Sequence, residues 1–341
     1  MAVRNRTTLL GFGGGLLLLG LLLSILGVDQ TLDALGRANP SILVVLPLVF
    51  CVWLTAWGLL LRVVIGAVDG GIRVRTAVLV YAGALFANNV TPFGQAGGEP
   101  VSAFLVAEAA DAEYETGLAA IASADAIHFV PSLSFATVGL GWVAVTAALT
   151  EQLRAAAVVV GVIAVIIVAG IGIGLRYQTH LERAIVRLLW PIGRTICRLI
   201  PQRTVPSRSA IEKRVTGFFS AVSRVGSDRE RLLLALGWSA LGWLALATCL
   251  WLSLLSLGTA VAFTIPLLVV PLGSIASVTP LPGGIGGIES VLAALLVSLG
   301  VAPPVAGAAV IIHRTVTYLL PTLLGGGVAW LLGVRSTTEP S

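Results

Sequence analysis

Apolar stretches of bilayer-crossing length alternate with short polar breaks along almost the whole chain. Uninterrupted runs occupy residues 8–28, 42–67, 118–149, 155–175, 232–257 and 304–332, and a helix needs about 20 apolar residues to cross the hydrocarbon layer. Two further apolar regions are broken in the middle. Residues 76–107 are interrupted by NNVTPFGQAGGEP at 88–100, and residues 261–299 by TPLPGGIGG at 279–287. Proline and glycine at that density end a helix. Irregular backbone at membrane depth survives only when protein buries it or it lines a wet cavity.

Basic residues in the short connections set the orientation. Arg4 and Arg6 precede the first run, and Arg73 and Arg75 follow the second. The connection between those runs, DQTLDALGRANP, has one Arg and two Asp. Residues 176–231 hold twelve basic residues against four acids, a net +8. The N-terminus, this segment and the C-terminus are expected on the cytoplasmic side of the cell membrane. This parity makes residues 76–107 a hairpin that returns to the side it entered from. If residues 261–299 do the same, Ala112 lies inside and Pro303 outside. LERAIVRLLWPIGRTICRLI, at 181–200, alternates apolar residues with Arg at helical spacing. It reads as a basic amphipathic helix on the inner surface, either a solvated connector or a contact with anionic lipid head groups.

Composition agrees with a multi-pass membrane protein. Of the 341 residues, 57% are hydrophobic and 11% charged, and mean hydropathy is +1.00. A soluble domain carries about 25% charge, so a soluble enzyme and a nucleic-acid-binding protein are excluded despite a net charge of +5. Cys51, Cys197 and Cys249 form no CxxC pair, so no disulfide framework, metal site or cofactor follows. Cys51 and Cys249 read as buried thiols. The apolar run after MAVRNR lacks a small-residue cleavage site and reads as an uncleaved first span.

The two breaks resemble each other. Val90-Thr91-Pro92 leads to Gly97-Gly98 and Glu99, and Val278-Thr279-Pro280 leads to Gly283-Gly284, Gly286-Gly287 and Glu289. The expected fold is an all-α bundle forming one transmembrane domain over 1–341, with two broken or re-entrant hairpins in an inverted repeat. Repeat A covers about 41–149, repeat B about 232–333, and 334–341 is a flexible tail. Secondary transporters place substrate where such broken helices meet.

Charges at membrane depth are functional candidates by default. Glu99, Asp125, Glu289 and Arg314 sum to −2, so protons or something cationic must neutralise them. Glu99, directly before Pro100, reads as the start of a helix, and Glu289 likewise. Each is a counter-charge, a proton site or only a cap. Backbone N–H groups around Gly97, Gly98, Gly283, Gly284 and Gly286 can hold phosphate, or the glycines only permit tight turns. Arg314 is a bidentate phosphate partner or the ion pair of Glu99 or Glu289; His313 and Tyr318 accompany it. Asp125 and His128 share a helix face and suit a proton relay better than a metal. Asn88, Asn89, Thr91, Gln95 and Thr279 line a cavity or satisfy broken backbone.

NNVTPFGQAGGEPVSAFLV (88–106), TPLPGGIGGIESVLAALLVSLGV (279–301) and HRTVTYLLP (313–321), in this order and spacing, resemble the lysylphosphatidylglycerol synthase transmembrane region, or flippase-like domain family. The matching positions are Gly97, Gly98, Glu99 and Pro100; Pro282, Gly283, Gly284, Gly286 and Glu289; and Arg314 with Tyr318. The resemblance implies a prokaryotic membrane protein that moves lipid-linked polar head groups, with aminoacylated phospholipids and polyprenyl-phosphate sugars as the substrate classes. The soluble domain of the bifunctional members is not seen here, so synthase activity is not expected. Two alternatives are a membrane-embedded enzyme using Asp125 and His128 as acid and base, and a scaffold whose basic segment recruits a cytoplasmic transferase. The oligomeric state is open.

Overall fold

The computed structural model describes residues 2–68, 71–91, 94–146, 216, 228–279 and 281–336. All regular structure among the described residues is helical. Residues 155–175, the basic segment up to 227 apart from Thr216, and residues 337–341 lie outside them, Cys197 included.

Helix α1 (Ala2–Leu26) ends at Gly27, whose φ of 91° suits glycine. The chain turns there by 87° into α2 (Val28–Gly36). Asn39 caps the short α3 (Pro40–Leu43) through Ser41 N–H at 3.0 Å, and α4 (Leu46–Val68) follows. The first broken region forms two 17-residue helices, α5 (Val74–Val90) and α6 (Gly94–Ala110). Then come α7 (Tyr114–Thr146) and α8 (Arg229–Ser256), the latter capped by Asp228. The second broken region is α9 (Thr264–Ser274), two 3-10 turns and α10 (Gly287–Ser298). The last span is α11 (Pro303–Arg314), a π turn over Thr315–Leu319 and α12 (Leu320–Ser336). Four stretches are long and apolar enough to cross a membrane: Pro40–Ala67, Tyr114–Val145, Arg229–Ser256 and Pro303–Val328. The bent pair Phe12–Leu26 and Val28–Gly36 makes a fifth when taken as one span.

Hydrogen bonds across the bundle show which ends lie together. Arg62 Nε donates to Ile72 O at 2.9 Å, and an Arg231 guanidinium N–H donates to Gly66 O at 2.5 Å. The end of α4 and the starts of α5 and α8 therefore share one basic end. At the other end Asn39 N–H donates to Ser256 O at 2.7 Å, and Trp251 Nε1 to Val261 O at 3.0 Å. Ala109 and Ala110 pack on the cluster containing Ile72, so the α5–α6 hairpin starts and finishes at the basic end. Leu268 and Leu299 pack together beside Val143, so the α9–α10 hairpin starts and finishes at the far end. The tips meet inside the bundle: a Cβ on Gly94 would lie 2.9 Å from Ser277 O, and one on Gly283 would lie 3.1 Å from Asn89 O.

Lipid gives apolar side chains little reason to leave it, so close packing holds such bundles together. Gly242 lets Trp57 lie directly on α8, and Gly325 lets α12 reach the α5 backbone at Ala82. Gly15 is likewise seated against Ile285, and Gly326 against the Phe86 ring. Of the two thiols expected to be buried, Cys249 is and Cys51 is exposed. An all-apolar run does not reveal which face turns inward, because lipid accepts the outward face equally well.

Candidate functional site

The second tip is built by glycine. Gly283, Gly284 and Gly286 have φ of 57°, 66° and 84°, values that cost an L side chain about 1–2 kcal/mol each. At Gly283 an added Cβ would also lie 2.3 Å from the Tyr318 ring. The turn delivers Glu289 to the first turn of α10. There its Oε2 accepts the Gly286 N–H at 2.7 Å, the side-chain half of a capping box.

The other carboxylate oxygen of Glu289 receives Arg314 Nε at 2.6 Å, and Arg314 Nη2 donates to Gly283 O at 3.0 Å. Both side chains are largely buried, at 13% and 6% exposure. The guanidinium carbon sits 4.8 Å from the Tyr318 ring centroid, at cation–π distance. Tyr318 is itself tied to the first tip. Its hydroxyl donates to Asn89 O at 3.2 Å, while Asn89 Nδ2 donates to Tyr318 O at 3.3 Å and Thr322 Oγ1 at 2.8 Å. Tyr318 lies in the π turn, where the extra backbone residue re-aims side chains along the last span.

A cavity of about 470 Å³ opens beside the joined tips. Among the expected residues, Asn88, Asn89, Gln95, Glu99, Asp125, His128, Gly283, His313 and Arg314 line it. Thr91 closes the first tip, its Oγ1 bonding Ala87 O at 2.6 Å. Gly98 packs on the Asn88 backbone, and Gly97 sits half-buried beside it. Thr279, Gly284, Gly286, Glu289 and Tyr318 stand behind the wall and shape the turn.

Glu99 departs from its expected position. α6 begins at Gly94, so Glu99 lies beyond its first turn and Pro100 is inside the helix. Glu99 makes no ion pair or hydrogen bond among the described residues; like Asp125 it lines the cavity. Gln95 hydrogen-bonds Asp125, while Asp125 Oδ2 is buried with no partner. Asn88 Oδ1 and His313 Nδ1 are buried and unpartnered too. His128 bonds Ser239 Oγ through Nδ1 at 2.9 Å, and its ring lies 4.1 Å from that of Trp57. No three His, Cys, Asp or Glu among the described residues group as metal ligands do.

The sequence reading did not anticipate an aromatic wall. Trp53, Trp57, Tyr81 and Trp243 all line the cavity. Trp57 is its centre, 5.6 Å from Trp53, 5.5 Å from Trp243 and 6.1 Å from Tyr81 between ring centroids. Its Nε1 donates to Ser239 O at 3.2 Å, and Trp243 Nε1 donates to His128 O at 3.1 Å. Membrane tryptophans usually sit at the interfaces, so tryptophan in the body of an apolar run, spaced four apart at 53 and 57, was the available signal.

The family model for the lysylphosphatidylglycerol synthase TM region matches residues 8–325. The chain belongs to this family. A UPF0104 membrane protein of Pyrococcus horikoshii is 26% identical over 323 residues, covering 92% of this chain and 93% of that one. Two UPF0104 membrane proteins of Methanothermobacter thermautotrophicus are 25% identical over 344 residues and 23% identical over 322. They are covered over 95% and 91% of their own lengths, and this chain over 98% and 91%. The chain is thus similar along almost its full length to archaeal membrane proteins, and with its apolar helices it is a multi-pass membrane protein.

Proposed function

We propose that this protein moves a lipid with a phosphorylated polar head group between the leaflets of the cell membrane, the head group passing through the cavity while the acyl or prenyl chains stay in lipid. Aminoacylated phospholipids and polyprenyl-phosphate sugars are the substrate classes. The observation that carries the reading is Arg314 at the wall of a cavity of about 470 Å³, the size of a small-ligand site. Glu289 and Gly283 engage two of its N–H groups. Among the described residues the other three of its five have no hydrogen-bond partner, and they can take phosphate oxygens. Hairpins that enter from opposite ends support an inverted repeat, with alternate access reached by rocking one tip against the other. The basic end would face the cytoplasm.

The test is proteoliposomes holding head-group-labelled lipid, with outer-leaflet label quenched over time. The wild-type protein should expose inner-leaflet label, and Arg314→Ala should not. Equal rates in wild type, Arg314→Ala and protein-free liposomes would refute the reading.

A further inference from the structure

We infer that Glu99 and Asp125 form a proton-binding site, holding one proton between them in the empty cavity and coupling head-group movement to a proton gradient. The coupling rests on the transport reading; the proton site does not.

Arg314 is committed to Glu289 at 2.6 Å, which leaves Glu99 and Asp125 as the uncompensated pair. Both line a cavity walled by Trp53, Trp57, Leu60 and Leu61, close enough for their charges to interact. The groups that approach from each side do not neutralise them. α5 brings Tyr81, which carries no positive charge and lines the same cavity. α4 brings Arg62, turned away to Ile72 O. The charged groups of α8 are held at the basic end, where Arg231 pairs with Asp228 at 3.0 Å. α9, TIPLLVVPLGS, has no charged residue. On α7 itself His128 turns to Ser239 and Trp57. From α11, His313 and Arg314 line the cavity. Two like charges close together at membrane depth cannot both persist cheaply, and such carboxyl pairs titrate as one unit sharing a proton.

Hydrogen-bond donors are also short around this pair. Gln95 serves Asp125, but Asp125 Oδ2 and Asn88 Oδ1 are buried, cavity-lining acceptors with no donor. Glu99 adds further acceptor oxygens and no donor. A buried unpaired acceptor costs about 1–3 kcal/mol. A single proton, its O–H bond on one of the two carboxyls, supplies a further donor. When it leaves, that O–H bond breaks, the electron pair stays on oxygen and water takes the proton. No redox partner is required.

Infrared spectroscopy of the full chain in lipid nanodiscs tests the site without any transported lipid. At neutral pH the wild type should show a protonated-carboxyl band that disappears on alkalinisation. The double variant Asp125→Asn with Glu99→Gln should lack it. Each single variant should shift the titration midpoint of the remaining carboxyl by about one pH unit or more. These are near-isosteric changes, and misfolding of one single variant still leaves the other informative. Absence of the band, its survival in the double variant, or its loss in sodium but not choline buffer at one pH overturns the proton site. In proteoliposomes, lipid movement indifferent to an imposed pH gradient overturns the coupling. No movement at all, with the band present, refutes the transport reading alone.

Discussion

Arg314 and Glu289 meet at 2.6 Å with little exposure on either side, and the contact joins the last span to the tip of the second hairpin. One Glu289 oxygen caps α10 while the other holds the guanidinium. Removing one partner of a buried pair strands the other charge, at about 3–5 kcal/mol. Glu289→Gln should therefore lower stability by about 3 kcal/mol, read from unfolding in detergent. Glu289→Gln combined with Arg314→Gln should recover part of that loss. A double variant as unstable as the summed singles would show that the two residues are not coupled.

Gly283→Ala places a Cβ at φ 57° and 2.3 Å from the Tyr318 ring. A loss of about 2 kcal/mol or more is expected, since the left-handed backbone alone costs about 1–2. Gly141 in α7 has open space at the same construction, and its change to Ala should be neutral or stabilising by up to about 1 kcal/mol. Thermal unfolding of both variants separates a required glycine from a tolerated one.

Tyr318→Phe deletes the hydroxyl bond to Asn89 O, 3.2 Å long, but keeps the ring beneath Arg314. The cost should be about 1 kcal/mol, with lipid movement slowed less than tenfold. Arg314→Ala should abolish movement. Equal loss in both variants would place the function in the cross-link and not in the guanidinium.

Single cysteines at Ala112 and Pro303, in a background lacking Cys51, Cys197 and Cys249, should be labelled by impermeant reagents from opposite sides of the membrane. Ala112 follows the helix ending in Ala109 and Ala110, which pack at the basic end. Pro303 follows the hairpin that closes at the far end. Labelling of both from one side would contradict the arrangement of the hairpins.

Much of this architecture was legible in the residues. Apolar run length located the spans, and the break at TPLPGGIGG located a turn that only glycine can make. Glu289, expected to start a helix just as Glu99 is, does stand in the first turn of α10. Glu99 does not start α6. Pro100 imitates a first-turn proline, yet Gly94, at φ 51°, had already started α6, which leaves Pro100 inside the helix. The choice of Glu289 over Glu99 as the partner of Arg314 was illegible, because it depends on which tip the last span crosses. The wall around Trp57 was illegible for a similar reason. Trp53 and Trp57 share α4, but Trp243 arrives from α8, and nothing local announces their meeting.

Gly15 on α1 lies against Ile285, and the same helix covers the Gly286 turn through Leu18. A segment made earlier in synthesis therefore docks onto one made about 270 residues later. During biosynthesis α1 must wait in the membrane with that surface uncovered, and nascent chains halted before residue 286 lack its partner. Assembly closes like a clasp, so a missing early helix and an unfinished late turn expose the two halves of one seam.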